Sequence, residues 1–136
     1  MPNRPSKPFS ALNRKVRMLK GKKTPLAIKR TMGRAVASLN ALREPGDFCI
    51  FVRDAALEIH EIAFWLPGHE KPSALILKRV PNVTTAAQLA DHVWNWDGNS
   101  QHPTINPSIE SEAGATRWHG YLVNGQFVQT PPPTPA

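Results

Sequence analysis

Three side chains in the last third of this 136-residue chain, Asp97, Ser108 and His119, are of the types that make an orienting carboxylate, a nucleophile and a base. In such a set the imidazole takes the serine proton as the hydroxyl attacks a carbonyl, and the carboxylate holds the ring. His102 and His119 with Asp97 would offer nitrogen and oxygen ligands to zinc. Against both readings, these are common residue types, and the chain has no Gly-x-Ser-x-Gly elbow, His-Glu-x-x-His pair or glycine-rich phosphate loop. Its one cysteine, Cys49, sits in the apolar run Phe48-Cys49-Ile50-Phe51-Val52 and reads as a small core residue. The expectation is a protein that is not an enzyme and has no metal or cofactor. A hydrolase or metal site at Asp97, Ser108 and His119 is one alternative.

The same residues lie in a stretch dense in tryptophan, proline and turn formers. Trp94-Asn95-Trp96-Asp97-Gly98-Asn99 is followed by His102-Pro103-Thr104-Ile105-Asn106-Pro107-Ser108-Ile109, and then by Trp118-His119-Gly120-Tyr121-Leu122-Val123-Asn124-Gly125-Gln126-Phe127. One reading is a rigid corner of a β-fold. The other is an aromatic groove in which Asp97, Asn99, Thr104, Ser108 and His119 face a ligand. Trp94, Trp96, Gly98, Pro103, Pro107, Trp118 and Gly120 complete the motif under either reading.

The order Trp-x-Trp-Asp-Gly-Asn, Pro-Thr-x-x-Pro-Ser-Ile, Trp-His-Gly-Tyr-Leu and Asn-Gly-x-Phe resembles a family of small uncharacterised proteins of bacteriophages and bacteria. The likeness is loose over 48–129 and good over 94–127. It implies a shared module with a Pro-Ser-Ile segment and a histidine in the final hairpin, and no particular activity. Some relatives carry zinc-type cysteines, including a Cys-His where this chain has Trp118-His119, so the resemblance implies no metal here.

Stepping along the chain, Pro2, Pro5 and Pro8 predict a flexible lead-in over 1–9. Ser10 as a cap and Phe9, Leu12, Val16 and Leu19 at steps of three and four predict a first helix ending at Gly21. Thr24-Pro25, followed by Ile28, Met32, Ala35, Val36, Leu39 and Leu42, predicts a second over 25–43. Apolar runs bounded by Asp, Pro and Gly predict strands over 48–52, 57–66 and 73–80. Thr84 or Thr85 caps a predicted short helix reaching Val93, and Asn124-Gly125 predicts a hairpin over 118–129. Residues 130–136 read as an extended proline-rich tail.

Charge divides the chain. Its net +7 combines twelve basic residues and no acid before Glu44 with ten acids and five bases from Glu44 onward. Arg14, Lys15, Arg17, Lys20, Lys22, Lys23, Lys29, Arg30 and Arg34 are therefore candidate polyanion contacts. No apolar run approaches the length of a membrane span.

Together these features predict an α+β protein: a basic helical arm over 10–43, then a compact antiparallel β-rich module over 46–129 with one short helix and a C-terminal hairpin. The expected role is that of a non-catalytic phage or prophage accessory or structural protein, binding a macromolecular partner, a protein or a nucleic acid, through its basic arm. The other alternative is sequence-nonspecific nucleic-acid binding by the same arm. The expected location is the cytoplasm of a bacterial host, or a virion.

Overall fold

The computed structural model describes residues 29–113 and 116–131, and over them the chain is built from β-strands. The strands are β1 (Lys29–Met32), β2 (Arg34–Ala35), β3 (Asp47–Asp54), β4 (Ile59–Phe64), β5 (Ser73–Arg79), β6 (Val93–Trp96), β7 (Ile105–Asn106), β8 (Ile109–Ala113), β9 (Thr116–Val123) and β10 (Gln126–Gln129). They form a four-stranded sheet in the order β1-β10-β9-β8 and a six-stranded sheet in the order β2-β3-β4-β5-β6-β7. The β2–β3 and β5–β6 pairs are parallel and the rest antiparallel. One residue separates β1 from β2 and two separate β7 from β8, so at two corners the chain bends from one sheet into the other.

The inward faces of the sheets share one core. Phe48, Ile62, Phe64, Leu77, Trp96 and Ile105 of the larger sheet meet Ile109, Trp118, Leu122 and Phe127 of the smaller one. Phe127 is the common neighbour of three aromatic rings. It stacks on Phe64 at 5.9 Å and meets Phe48 and Trp118 edge-on, each at 6.3 Å.

The three strands predicted from apolar runs and the Asn-Gly hairpin are present as β3, β4, β5 and β9–β10. Asn124 and Gly125 both have positive φ, at 48° and 79°, which suits a two-residue turn between right-twisted strands. The expected α+β class is corrected to an all-β fold: among the described residues the one helical element is a 3₁₀ turn at Leu39–Ala41. The predicted lead-in and first helix, with Arg14, Lys15, Arg17, Lys20, Lys22 and Lys23, lie outside the described residues.

Over 29–43, β1, β2 and the 3₁₀ turn replace the predicted second helix. Met32 and Leu39 of its apolar stripe are exposed, so the stripe has no continuous buried face. Gly33 carries the reason. It sits where β1 passes into β2, its N–H donates to the Gly125 carbonyl at 2.9 Å, and a Cβ there would come within 2.2 Å of that oxygen. A glycine in mid-helix costs about 1 kcal/mol, whereas here its missing side chain lets two backbones touch.

The predicted helix over 84–93 is also absent. Asn95, fully buried on β6, donates through Nδ2 to the carbonyls of Ala86 and Ala87, and Asn106 Nδ2 donates to Ala86 as well. These carbonyls are held by side chains of the sheet rather than by helical N–H groups.

Asp47 ties the β2–β3 corner. Its carboxylate is 1% exposed and accepts from Arg34 Nε and Nη2 at 2.9 and 2.8 Å, and from the N–H groups of Arg43 and Glu44. Arg34 is thereby spent on an internal ion pair, while Lys29 and Arg30 lie on β1, where Arg30 donates to Gln126. The Arg34 hydrogen bond holds the Asp47 carboxyl below the usual carboxylate range, against the opposing effect of its burial, and the Arg43 and Glu44 N–H groups add to the lowering. Asp47→Asn is expected to cost about 2–4 kcal/mol of stability near neutral pH. A lowered folded pKa means that this stabilisation is complete above the unfolded carboxylate's pKa of about 3.9 and is lost as pH falls through the folded value. Urea midpoints of the two proteins should therefore converge on acidification below about pH 4.

Candidate functional site

Ser108 lies between β7 and β8, after the cis Asn106–Pro107 peptide and outside both ladders. Trp94 on β6 donates its indole N–H to the Ser108 carbonyl at 3.2 Å and ties that junction to the larger sheet. His119 is on β9. The alternation that turns Trp118 and Leu122 into the core turns His119 and Tyr121 to the other face of the sheet. His119 is nonetheless buried there, with the Tyr121 ring edge-on at 6.2 Å.

The two meet across the corner. His119 Nε2 is 3.1 Å from Ser108 Oγ, and His119 Nδ1 is 3.1 Å from Thr130 Oγ1. The hairpin register explains the third member. Gly120 pairs with Gln129, so Thr130 falls level with His119, and its N–H donates to the His119 carbonyl at 2.8 Å. In the tautomer with its proton on Nδ1, the ring donates to Thr130 and accepts from Ser108, which is the arrangement a general base needs. Gly120 holds the crossing tight: a Cβ there would come within 2.2 Å of the Val128 carbonyl and 2.7 Å of the Trp118 ring.

Beside this constellation, Glu110 faces His119 across the β8–β9 pair. Glu110 is bound to Arg117, whose hydrogen bond is the main cause holding its carboxyl below the usual range.

The structure does not bring Asp97 to His119. Asp97 Oδ1 accepts the N–H groups of Asn99 and Thr104, and its residue lines a separate depression of about 610 Å³ with Arg79 and Glu58. Asn99 Oδ1 accepts from Gln101 and His102, the Asn99 carbonyl accepts from Trp96, and Thr104 Oγ1 accepts from Asn124 N–H. Gly98 supplies a φ of 87° in the same turn. Pro103 is buried and its carbonyl accepts from Gly125 N–H. These polar atoms build a corner, with Trp96 and Trp118 in the core and Trp94 packed against it. Among the described residues no group of three or more His, Cys, Asp or Glu is arranged to hold a metal ion.

A second serine–histidine pair joins Ser111 on β8 to His69 in the loop between β4 and β5. His69 Nε2 is 3.1 Å from Ser111 Oγ, and His69 Nδ1 is 3.2 Å from the Pro67 carbonyl. A carbonyl only accepts, so this ring carries its proton on Nδ1. The pair borders a groove of about 620 Å³ between residues 68–73 and Ser111, Glu112, Ala113 and Thr116.

Thr130 and the Ser111–His69 pair were not legible in the sequence. Thr130 reads as the first residue of a proline-rich tail, and the hairpin register was the one signal pointing to it. His69 and Ser111 are 42 positions apart with no motif joining them.

No helix among the described residues is long and apolar enough to cross a membrane. The chain matches no curated protein and no solved structure. A family model described as bacterial ubiquitination-like system serine protease (BubE) matches residues 39–130. This finding overturns the expectations of a non-enzyme, of a phage accessory or virion protein and of a nucleic-acid-binding protein, because the matched family is one of bacterial proteases. The basic residues misled because net charge speaks to association in general and not to the chemistry of a site. With more than half of its length matched, the chain belongs to the family of bacterial ubiquitination-like system serine proteases, BubE.

Proposed function

We infer that the protein is a peptidase of a bacterial ubiquitination-like system, with Ser108 as nucleophile, His119 as general base and Thr130 as the group that orients the ring. The observation that carries this is Ser108 Oγ at 3.1 Å from a buried imidazole whose other nitrogen is engaged by a hydroxyl, in a chain of a serine protease family.

Ser108 Oγ attacks the substrate carbonyl carbon while its proton passes to His119 Nε2. The imidazolium then gives that proton to the leaving nitrogen as the C–N bond breaks, leaving an ester on Ser108. Water attacks the ester with His119 again taking a proton, the acid leaves, and the serine recovers its hydrogen. Thr130 Oγ1 accepts from Nδ1 throughout and steadies the charged ring, a weaker version of what a carboxylate does.

Ser111 with His69 is the second reading, favoured by its fixed tautomer and adjoining groove. Ser108 ranks above it because it stands outside the ladder, whereas Ser111 is paired with Trp118 inside it.

A small alkyl fluorophosphonate separates the two readings. Attack on phosphorus with loss of fluoride leaves the probe on whichever serine is activated. Peptide mapping by mass spectrometry is expected to find it on Ser108 in the native protein, and nowhere in Ser108→Ala. Label on Ser111 that survives Ser108→Ala would move the nucleophile to the other pair.

A further inference from the structure

Among the described residues β8 is the last strand of its sheet, and the hairpin register reveals which of its backbone groups turn away from β9. Val123 and Gln126 flank the two-residue turn, so they exchange hydrogen bonds, and so by alternation do Tyr121 and Val128. The N–H and C=O groups of Trp118 and Gly120 then point the other way, to Ser111 and Ile109 of β8. Glu110 and Glu112 are left with their N–H and C=O groups directed away from β9. Among the described residues, no backbone hydrogen bond from outside the ladders reaches 109–113.

That edge has three further properties. It begins one residue after Ser108. The groove of about 620 Å³ adjoins it, with Ser111, Glu112 and Ala113 of β8 and Thr116 of β9 on one side and residues 68–73 on the other. His69, buried and bonded to Ser111, Pro67 and, through its own carbonyl, the Trp65 indole, holds the opposite wall in place.

We propose that the substrate binds as an added β-strand on β8, its extended main chain hydrogen-bonded to Glu110 and Glu112 and its side chains reaching the groove, so that the bond to be cut arrives at Ser108. This rests on Ser108 being the nucleophile. An extended peptide spans about 3.3 Å per residue, so a residue about three positions from the cleaved bond lies level with Ser111. Strand addition takes affinity from the main chain, and only the side chains that enter the groove carry sequence preference.

Glu112→Pro tests the edge. Proline removes the outward N–H, and because Glu112 donates nothing to β9 the hairpin keeps its ladder. Glu112→Ala is the control for loss of the carboxylate. Each protein is first labelled with the small fluorophosphonate, which needs no strand pairing, and then given a peptide library made from a bacterial proteome digest, with cleavage read by mass spectrometry. Expected are equal labelling rates at Ser108 in all three proteins, cleavage of library peptides by the native protein, and a kcat/KM about tenfold or more lower in Glu112→Pro than in Glu112→Ala, carried by KM. Equal cleavage by Glu112→Pro and Glu112→Ala, or a native protein that takes the label yet cuts nothing in the library, would overturn strand addition while leaving Ser108 as the nucleophile. Absence of label from Ser108 in the native protein would instead remove the reading on which it stands. A change of oligomeric state in Glu112→Pro with unchanged cleavage would give the edge to a second copy of the chain and also overturn the proposal.

Discussion

Ser108→Ala is expected to lower kcat/KM for peptide hydrolysis by at least about a thousandfold, with KM nearly unchanged. The hydroxyl makes the covalent bond, and among the described residues it is the group hydrogen-bonded to His119 Nε2. His119→Ala should cost about as much. The double variant should be no worse than either single one, because nucleophile and base act as a unit and their losses do not add. Thr130→Val should sit between, at about a tenfold to hundredfold loss in kcat: it keeps the shape and removes the hydroxyl oxygen that meets Nδ1. The readings are initial rates on the cleaved library peptides, with circular dichroism confirming that each variant is folded. Equal activity in Ser108→Ala and the native protein would end the assignment, and full activity in Thr130→Val would reduce the triad to a pair.

The largest expected effect on stability belongs to Phe127→Ala, at about 3–5 kcal/mol. Phe127 is 1% exposed and lies between Phe48 and Phe64 of one sheet and Trp118 of its own, so truncation opens a cavity where the two sheets meet. The loss includes ring–ring contacts with preferred geometry as well as the transfer of apolar surface. Val123→Ala, on the same hairpin but exposed on its outer face, should change stability by less than about 0.5 kcal/mol. Urea unfolding followed by tryptophan fluorescence compares the two. The Phe127 variant should also lose activity, because Thr130 is the third residue beyond Phe127 and reaches His119 only if β10 keeps its register.

Two of the three residues of the proposed triad, Ser108 and His119, can be named from the sequence, since hydroxyl and imidazole side chains inside a dense turn-rich motif invite the question. Their partnership cannot. Asp97 is nearer to a textual triad than Thr130, yet its carboxylate is consumed by two N–H groups of its own turn, the ordinary fate of an aspartate before a glycine. Thr130 acquires its place from the β9–β10 register alone.

What the amino-acid sequence determined by itself is the local structure that local chemistry dictates: the Asn124-Gly125 turn with its two strands, the Asp97-Gly98-Asn99 corner, and the apolar runs that became β3, β4 and β5. In each, the residues that set the conformation are neighbours in the chain. The tertiary structure alone decided that Lys29–Met32 and Arg34–Ala35 are strands, that 84–92 lies outside any helix, and that a serine, a histidine and a threonine meet at one corner. Lys29 pairs with Gln129, exactly one hundred positions away, and the carbonyls of Ala86 and Ala87 are taken by an asparagine that must first be set in β6. Hydrogen-bond partners supplied from so far along the chain outweigh the fraction of a kilocalorie per residue by which helical spacing favours a helix, and local pattern carries no record of them.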